Sequence, residues 1–260
     1  MSKQNKTKYL ESDKFRLKCQ KKFRFLNNRD LYKANDFETL FSLVLEITSV
    51  FKPKGLDEET YNRIISHPQR LIYHANNILR LSNNNEVKQN RQRLNELKVA
   101  ILYHDVSKCV EFSKYNGERR RDHALFSSIM IEIIMTYLEF DQDVINRISA
   151  NIRHHSDKRP GYSDEINYEG ILLTDIDILD EQDVYGLLLL SAVRGGKEQI
   201  MKNNMINQNG IKEYFRDFIE NTDALKKMEL PESIEYYTNM LKTIEEIRKI
   251  ISFENEEVFI

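Results

Sequence analysis

A chain of 260 residues with 40% hydrophobic and 31% charged side chains can bury a core and does not have the composition of a disordered protein. Its 39 basic and 41 acidic residues nearly cancel, to a net charge of −2, so neither a basic surface for nucleic acid nor an acidic tail is expected. Eight glycines and four prolines are too few to supply the turns of a β-rich chain of this length, and the expectation is an all-α protein.

The first 24 residues are locally basic (Lys3, Lys6, Lys8, Lys14, Arg16, Lys18, Lys21, Lys22, Arg24) and read as a solvated terminal segment. Residues 36–51 form an amphipathic helix, with Leu40, Phe41, Val44, Leu45 and Ile47 at helical spacing, Asn35 or Asp36 as its cap, and Pro53 and Gly55 at its end. Residues 57–83 read as one or two helices broken near Pro68. The polar run SNNNEVKQNRQ is a loop or a frayed helix start, and the apolar stretch from Leu94 to Asp105 is a central buried helix. A polar, basic loop over 111–122 leads to two helices, 123–138 and 142–155. After the Pro160-Gly161 turn, a helix over about 169–194 stops at Gly195-Gly196. The last 60 residues hold two or more helices. The clearest opens at Pro231 and carries the stripe Tyr237, Met240, Leu241, Ile244, Ile247, Ile251.

Cys19 and Cys109 are too few for a disulfide framework and wrongly spaced for a zinc ribbon, so both are expected as free thiols in a reducing compartment. No apolar run is long enough to span a bilayer and the N-terminus lacks the apolar core of a signal peptide. The expected location is the cytoplasm, without a membrane partner.

Chemistry concentrates at the six histidines, His67, His74, His104, His123, His154 and His155. His104 is followed directly by Asp105 at the end of the buried helix, and Lys108 completes HDVSK. Taken alone, a His-Asp pair is close to chance in a chain with this many acidic residues. Its company is what matters: His74 about 30 residues before it, and Asp175 and Asp177 about 70 residues after it, in LLTDIDILD. Two histidines and two aspartates make a mixed nitrogen and oxygen set that suits a divalent ion (Mn, Mg, Fe, Co, Ni or Zn) and leaves coordination positions open.

The ordered series His…His-Asp-x-x-Lys…Asp resembles the HD-domain superfamily of metal-dependent phosphohydrolases, and ILYHDVSK is similar to that family's central motif. The resemblance implies an HD-domain helical bundle over 61–200, with helical extensions at 1–60 and 201–260. It implies His74, His104, Asp105 and Asp177 as metal ligands, with Asp105 also orienting or deprotonating water and Lys108 facing phosphate. His67 competes with His74 for the first position and Asp175 with Asp177 for the last; Ile178 stands where the family's aspartate run carries an arginine. His123, His154 and His155 are candidates for a second metal or for substrate phosphate, so the site holds one ion or two. Arg119, Arg120, Arg121, Arg153 and Arg194 are further phosphate candidates. The implied activity is hydrolysis of a nucleotide or related phosphoester through a metal-activated water, the partner being a small phosphorylated substrate. The alternative is a nucleotide-sensing HD-fold module without turnover. Nucleic acid is not an expected partner, and the amphipathic terminal helices leave a homo-oligomer open.

Overall fold

The computed structural model describes residues 3–51, 58–108, 123–155, 167–180, 201–202, 205–206 and 224–251. Its elements are α1 (Lys3–Lys22), a 3-10 turn (Phe23–Asn27), α2 (Phe37–Phe51), α3 (Glu58–Leu81), α4 (Asn85–Gln89), α5 (Arg91–Tyr103), α6 (His123–Tyr137), α7 (Gln142–His154), α8 (Tyr168–Asp180) and α9 (Pro231–Ile251). The fold is all-α. Among the described residues the single exception is a two-residue antiparallel pair, β1 (Met201–Lys202) with β2 (Met205–Ile206), in register Met201↔Ile206. Helical periodicity did not anticipate it, since two-residue strands are too short to show a period of their own. No described helix is long and apolar enough to cross a membrane.

Local chemistry explains where the helices begin. Asp36 caps α2, accepting from the backbone N–H groups of Glu38 and Thr39 at 3.3 and 3.2 Å and from the Thr39 hydroxyl at 2.8 Å. In the polar run expected as a loop or a frayed helix start, Asn84 accepts from Val87 N–H and Asn90 from Gln92 and Arg93 N–H, so two asparagine caps start α4 and α5. α3 differs from the expected break: Pro68 lies inside it. Proline removes one helix hydrogen bond and crowds the carbonyl four residues back, a local penalty that a long helix packed by its neighbours absorbs. Between α6 and α7, Glu139 takes a left-handed conformation, with φ 57°, that glycine would normally fill. Phe140 N–H donates to Met135 C=O and Glu139 N–H to Thr136 C=O, closing the helix end, while the Glu139 carboxylate pairs with Arg29.

The chain divides into two compact units. The first comprises residues 1–73 and 84–174, the second residues 74–83 and 175–260. In the first, α6 is apolar on nearly every face, with Ala124, Phe126, Ile129, Met130, Ile131, Ile133, Ile134 and Met135 buried, so it forms the centre. α7 packs on it through Val144, Ile145, Ile148 and Ile152, and α5 and α1 pack on α7 and α6 respectively. The Phe15 and Phe126 rings meet edge to face, 4.7 Å apart. Tyr103, fully buried, donates its hydroxyl to the Leu40 carbonyl at 2.8 Å and ties α5 to α2.

Ion pairs lock α5 to its neighbours. Arg147 of α7 forms a two-pronged bond to Glu96 of α5 (2.8 and 2.6 Å), and Arg93 of α5 does the same with Glu169 of α8. Glu96 is 2% exposed at its side chain and Arg147 34%. Arg147→Ala leaves the buried carboxylate with the neutral Gln92 amide as hydrogen-bond donor. The expected loss is about 2 kcal/mol, below the range for fully buried pairs because the guanidinium is partly solvated; urea unfolding measures it.

Cys19 is buried and free, and burial pushes its thiol up to about 12 from an ordinary 9.0. The neutral thiol is therefore favoured in the fold. Its contribution to stability is complete below pH 9 and is lost as the pH rises from 9 to about 12. Iodoacetamide at pH 8 should label Cys19 only after unfolding, as read by peptide mapping. Cys109 lies outside the described residues.

In the second unit, α9 opens at Pro231 as expected. Its buried line is Ser233, Tyr237 and Ile244, while Met240, Leu241 and Ile247 of the expected stripe are only partly covered. The helix end expected at Gly195-Gly196 lies outside the described residues.

Candidate metal centre

The site forms where helices end. α5 stops at Tyr103, and residues 104–107 turn sharply, with Val106 N–H on the Tyr103 carbonyl and Lys108 N–H on the Asp105 carbonyl. The last carbonyls of a helix have no partner within it. His104, fully buried, uses one: its Nδ1 lies 2.7 Å from the carbonyl oxygen of Ile101, three residues back. Carbonyls only accept, so Nδ1 carries the proton and Nε2 presents a lone pair. His155 repeats the device at the end of α7, with Nδ1 on the carbonyl of Ile152. Two helix termini thus aim two imidazole lone pairs by the same means.

Each of these rings faces another histidine. His67 Nε2, from α3, is 3.2 Å from His104 Nε2, and His123 Nε2, from the first residue of α6, is 3.2 Å from His155 Nε2. Ligand atoms at about 2.0–2.1 Å from a tetrahedral ion stand roughly 3.3 Å from one another, which both spacings match. The His104 and His155 rings lie edge to face with centroids 4.9 Å apart.

Asp105 stands between the two pairs. Its Oδ2 is 3.4 Å from His104 Nε2 and 3.8 Å from His67 Nε2, and it accepts from the Lys108 ammonium. Its Oδ1 is 3.4 Å from His123 Nε2 and 3.8 Å from His155 Nε2. One carboxylate oxygen therefore serves each pair. Oδ1 is buried with no hydrogen-bond partner among the described residues, a cost that a cation beside it would remove. Burial by itself would raise the Asp105 pKa, but the Lys108 charge together with His104 and His155 outweighs it and holds the carboxyl well below the ordinary range. Asp105 is thus anionic, and His104, Asp105 and His155 bring ligand atoms close enough to share an ion. The residues present fit a divalent metal.

His74, buried in the second unit, has its Nδ1 3.3 Å from the Tyr236 hydroxyl of α9, which also accepts from Asn77 at 3.4 Å. Of the two candidates for the first ligand, it is His67 whose ring meets His104. The signal missed was small: His67 and His74 are seven residues apart, so they share one helix face and periodicity cannot separate them. Asp175 is fully buried and accepts from the N–H groups of Glu229 (3.1 and 3.3 Å) and Leu230 (3.0 Å). Asp177 follows two residues later on α8, about 200° around the helix, and is half-buried.

Arg153, expected to face phosphate, instead donates to Ser128 Oγ (3.3 and 3.4 Å) and to Glu132 (3.2 Å) of α6. Glu132 also accepts from Arg16 and Ser149, so this guanidinium belongs to a cluster joining α1, α6 and α7. His154 ends α7, half-buried, one residue before the histidine whose ring joins the cluster. Lys108 keeps 38% of its side chain exposed beside Asp105. Arg119, Arg120, Arg121 and Arg194 lie outside the described residues.

The model of the HD-domain family matches residues 56–182. Neither the curated proteins nor the solved structures compared with the chain gave a match. The matched span contains both histidine pairs, Asp105 and Lys108, a His/Asp cluster compatible with metal binding. Residues 56–182 are thus an HD domain, the domain of a superfamily of metal-dependent phosphohydrolases.

Proposed function

We propose that this protein is a metal-dependent phosphohydrolase acting on a nucleotide or a related phosphoester, with two divalent ions at one shared carboxylate. The observation that carries the reading is the arrangement of two histidine pairs about the two oxygens of Asp105. His67, His104 and Asp105 Oδ2 would hold one ion, and His123, His155 and Asp105 Oδ1 the other. By motif order Asp177 joins the ligand set in preference to Asp175, whose carboxylate is engaged by two backbone N–H groups. When bound, a divalent ion supplies Lewis acidity toward a phosphoryl oxygen and makes hydroxide accessible at neutral pH.

The chain's own residues contribute the rest. The anionic Asp105 lowers the net charge of a bound cation and accepts hydrogen bonds from an attacking water. The Lys108 ammonium, partly exposed, offers a positive charge to a substrate phosphate. The Ile101 and Ile152 carbonyls fix the imidazole tautomers, so no reorganisation is needed when a ligand arrives.

The test is hydrolysis of a nucleotide and phosphoester panel by protein loaded with Mn²⁺, Co²⁺, Mg²⁺ or Ni²⁺. Metal-dependent release of phosphate or of a nucleotide product is expected. Absence of turnover with every metal by a chain that binds them would sink the hydrolase reading in favour of a sensing module.

A further inference from the structure

The turn that carries His104 and Asp105 is fastened to the helix that carries His123 by two hydrogen bonds. The Ser107 hydroxyl donates to the His123 carbonyl oxygen at 2.9 Å. The Ser107 backbone N–H donates to Ser127 Oγ at 3.1 Å. Both serines are fully buried. His123 and Ser127 are one turn apart, so Ser107 grips the first turn of α6 at two points.

This placement is not what packing alone would select. α6 is mostly apolar, and alanine at Ser127 would favour the helix more and bury no polar atom. A buried hydroxyl is retained at a fixed place when it is bonded, and here each serine satisfies a group of the other segment. His104 and His155 are each oriented by a carbonyl of their own helix. The backbone of His123 is instead held by the clasp, from the turn that also presents Asp105. The distance between His123 Nε2 and Asp105 Oδ1, 3.4 Å, is therefore set through Ser107. In the other pair, His67 comes from α3 and the His104 ring is aimed by the Ile101 carbonyl of α5, so neither ring is oriented by the clasp.

We infer that Ser107 and Ser127 are positioning residues that assemble the second ion site, at His123, His155 and Asp105 Oδ1, without governing the first. The inference rests on the two-ion reading above. Neither serine would touch an ion; each acts by holding the first turn of α6 in register with the His-Asp turn.

Cobalt(II) titration of the metal-free full chain, followed by d–d absorption and metal analysis, reads the two sites separately. The parent should take up two ions per chain. Ser107→Ala should keep the first ion at parental affinity and bind the second about 10- to 100-fold more weakly, the range for groups that orient ligands. Ser107→Thr, which keeps a hydroxyl, should restore the second ion, and His123→Ala, which removes a ligand of that same site, should weaken the second ion at least as much as Ser107→Ala while keeping the first. Retention of the first ion shows that the variant is folded. If Ser107→Ala does not fold, Ser127→Ala, which removes the other half of the clasp, carries the same expectation. Two ions at parental affinity in the alanine variant overturn the inference. Equal weakening of both ions also overturns it, because the clasp would then be general packing. One ion in the parent overturns the two-ion reading itself, and the inference with it.

Discussion

Asp105→Ala should yield a protein that folds, holds neither ion, and loses at least about 10³-fold in kcat/KM, the upper end of what one preorganised electrostatic group contributes. The size of the effect follows from geometry. Among the described residues Asp105 is the one carboxylate that faces both histidine pairs, with an oxygen 3.4 Å from His104 Nε2 and the other 3.4 Å from His123 Nε2. Without it, the proposed ligand set keeps four imidazoles and the single carboxylate Asp177, and one negative charge cannot offset two divalent ions held close together. The substitution also leaves the Lys108 ammonium facing the rings with no counter-charge from Asp105, which further repels cations. Asp105→Asn keeps the shape and one carbonyl oxygen but not the charge. It should retain partial metal occupancy and fall between parent and alanine variant. Metal content by elemental analysis, measured alongside steady-state hydrolysis, checks both outcomes. Parental metal content in Asp105→Ala would refute the shared-carboxylate arrangement.

The parts of the site that are contiguous in the chain were legible from it. His104, Asp105 and Lys108 follow one another in a turn after an apolar helix, so their proximity needs no tertiary knowledge. His123 and His155 were visible as histidines at a helix start and a helix end, but pairing them requires α6 to lie against α7, which only packing decides. The choice between His67 and His74 was beyond periodicity for the reason that they share a helix face. Pro68, one residue after His67, invited a helix break; the helix continues, and the histidine before the proline meets His104. Arg153 shows the opposite error. A basic residue close in sequence to two histidines looks like a phosphate contact, yet its guanidinium reaches Glu132 one helix away. The fold class was the easier inference, because scarce glycine and long amphipathic stretches leave few alternatives to helices. Loop conformations that depend on a single residue, such as the left-handed Glu139, have no compositional signal when the residue is not glycine.

His67→Ala and His74→Ala should therefore part company. On one helix, seven residues make two turns and a rise of about 10 Å, so the two rings cannot both reach the same ion. His67 has its Nε2 3.2 Å from His104 Nε2 and 3.8 Å from Asp105 Oδ2. Its removal should weaken the ion at that pair by more than the roughly 100-fold that second-shell changes reach, and lower turnover in step. The ion at His123 and His155 should be less affected, because its two imidazoles and Asp105 Oδ1 remain. His74 instead lies edge to face with Tyr236, ring centroids 5.8 Å apart, and has its Nδ1 on the tyrosine hydroxyl. Its replacement removes a buried ring and should cost about 1–3 kcal/mol of stability through lost packing and an impaired hydrogen bond. Metal content at saturating ion should stay at the parental value. Metal analysis and urea unfolding on the two variants, run side by side, separate the roles: loss of an ion with stability kept for His67→Ala, loss of stability with both ions kept for His74→Ala. The reverse pattern would return the first ligand position to His74 and would mean that the contact between His67 and His104 is a hydrogen bond between rings rather than half of a metal site.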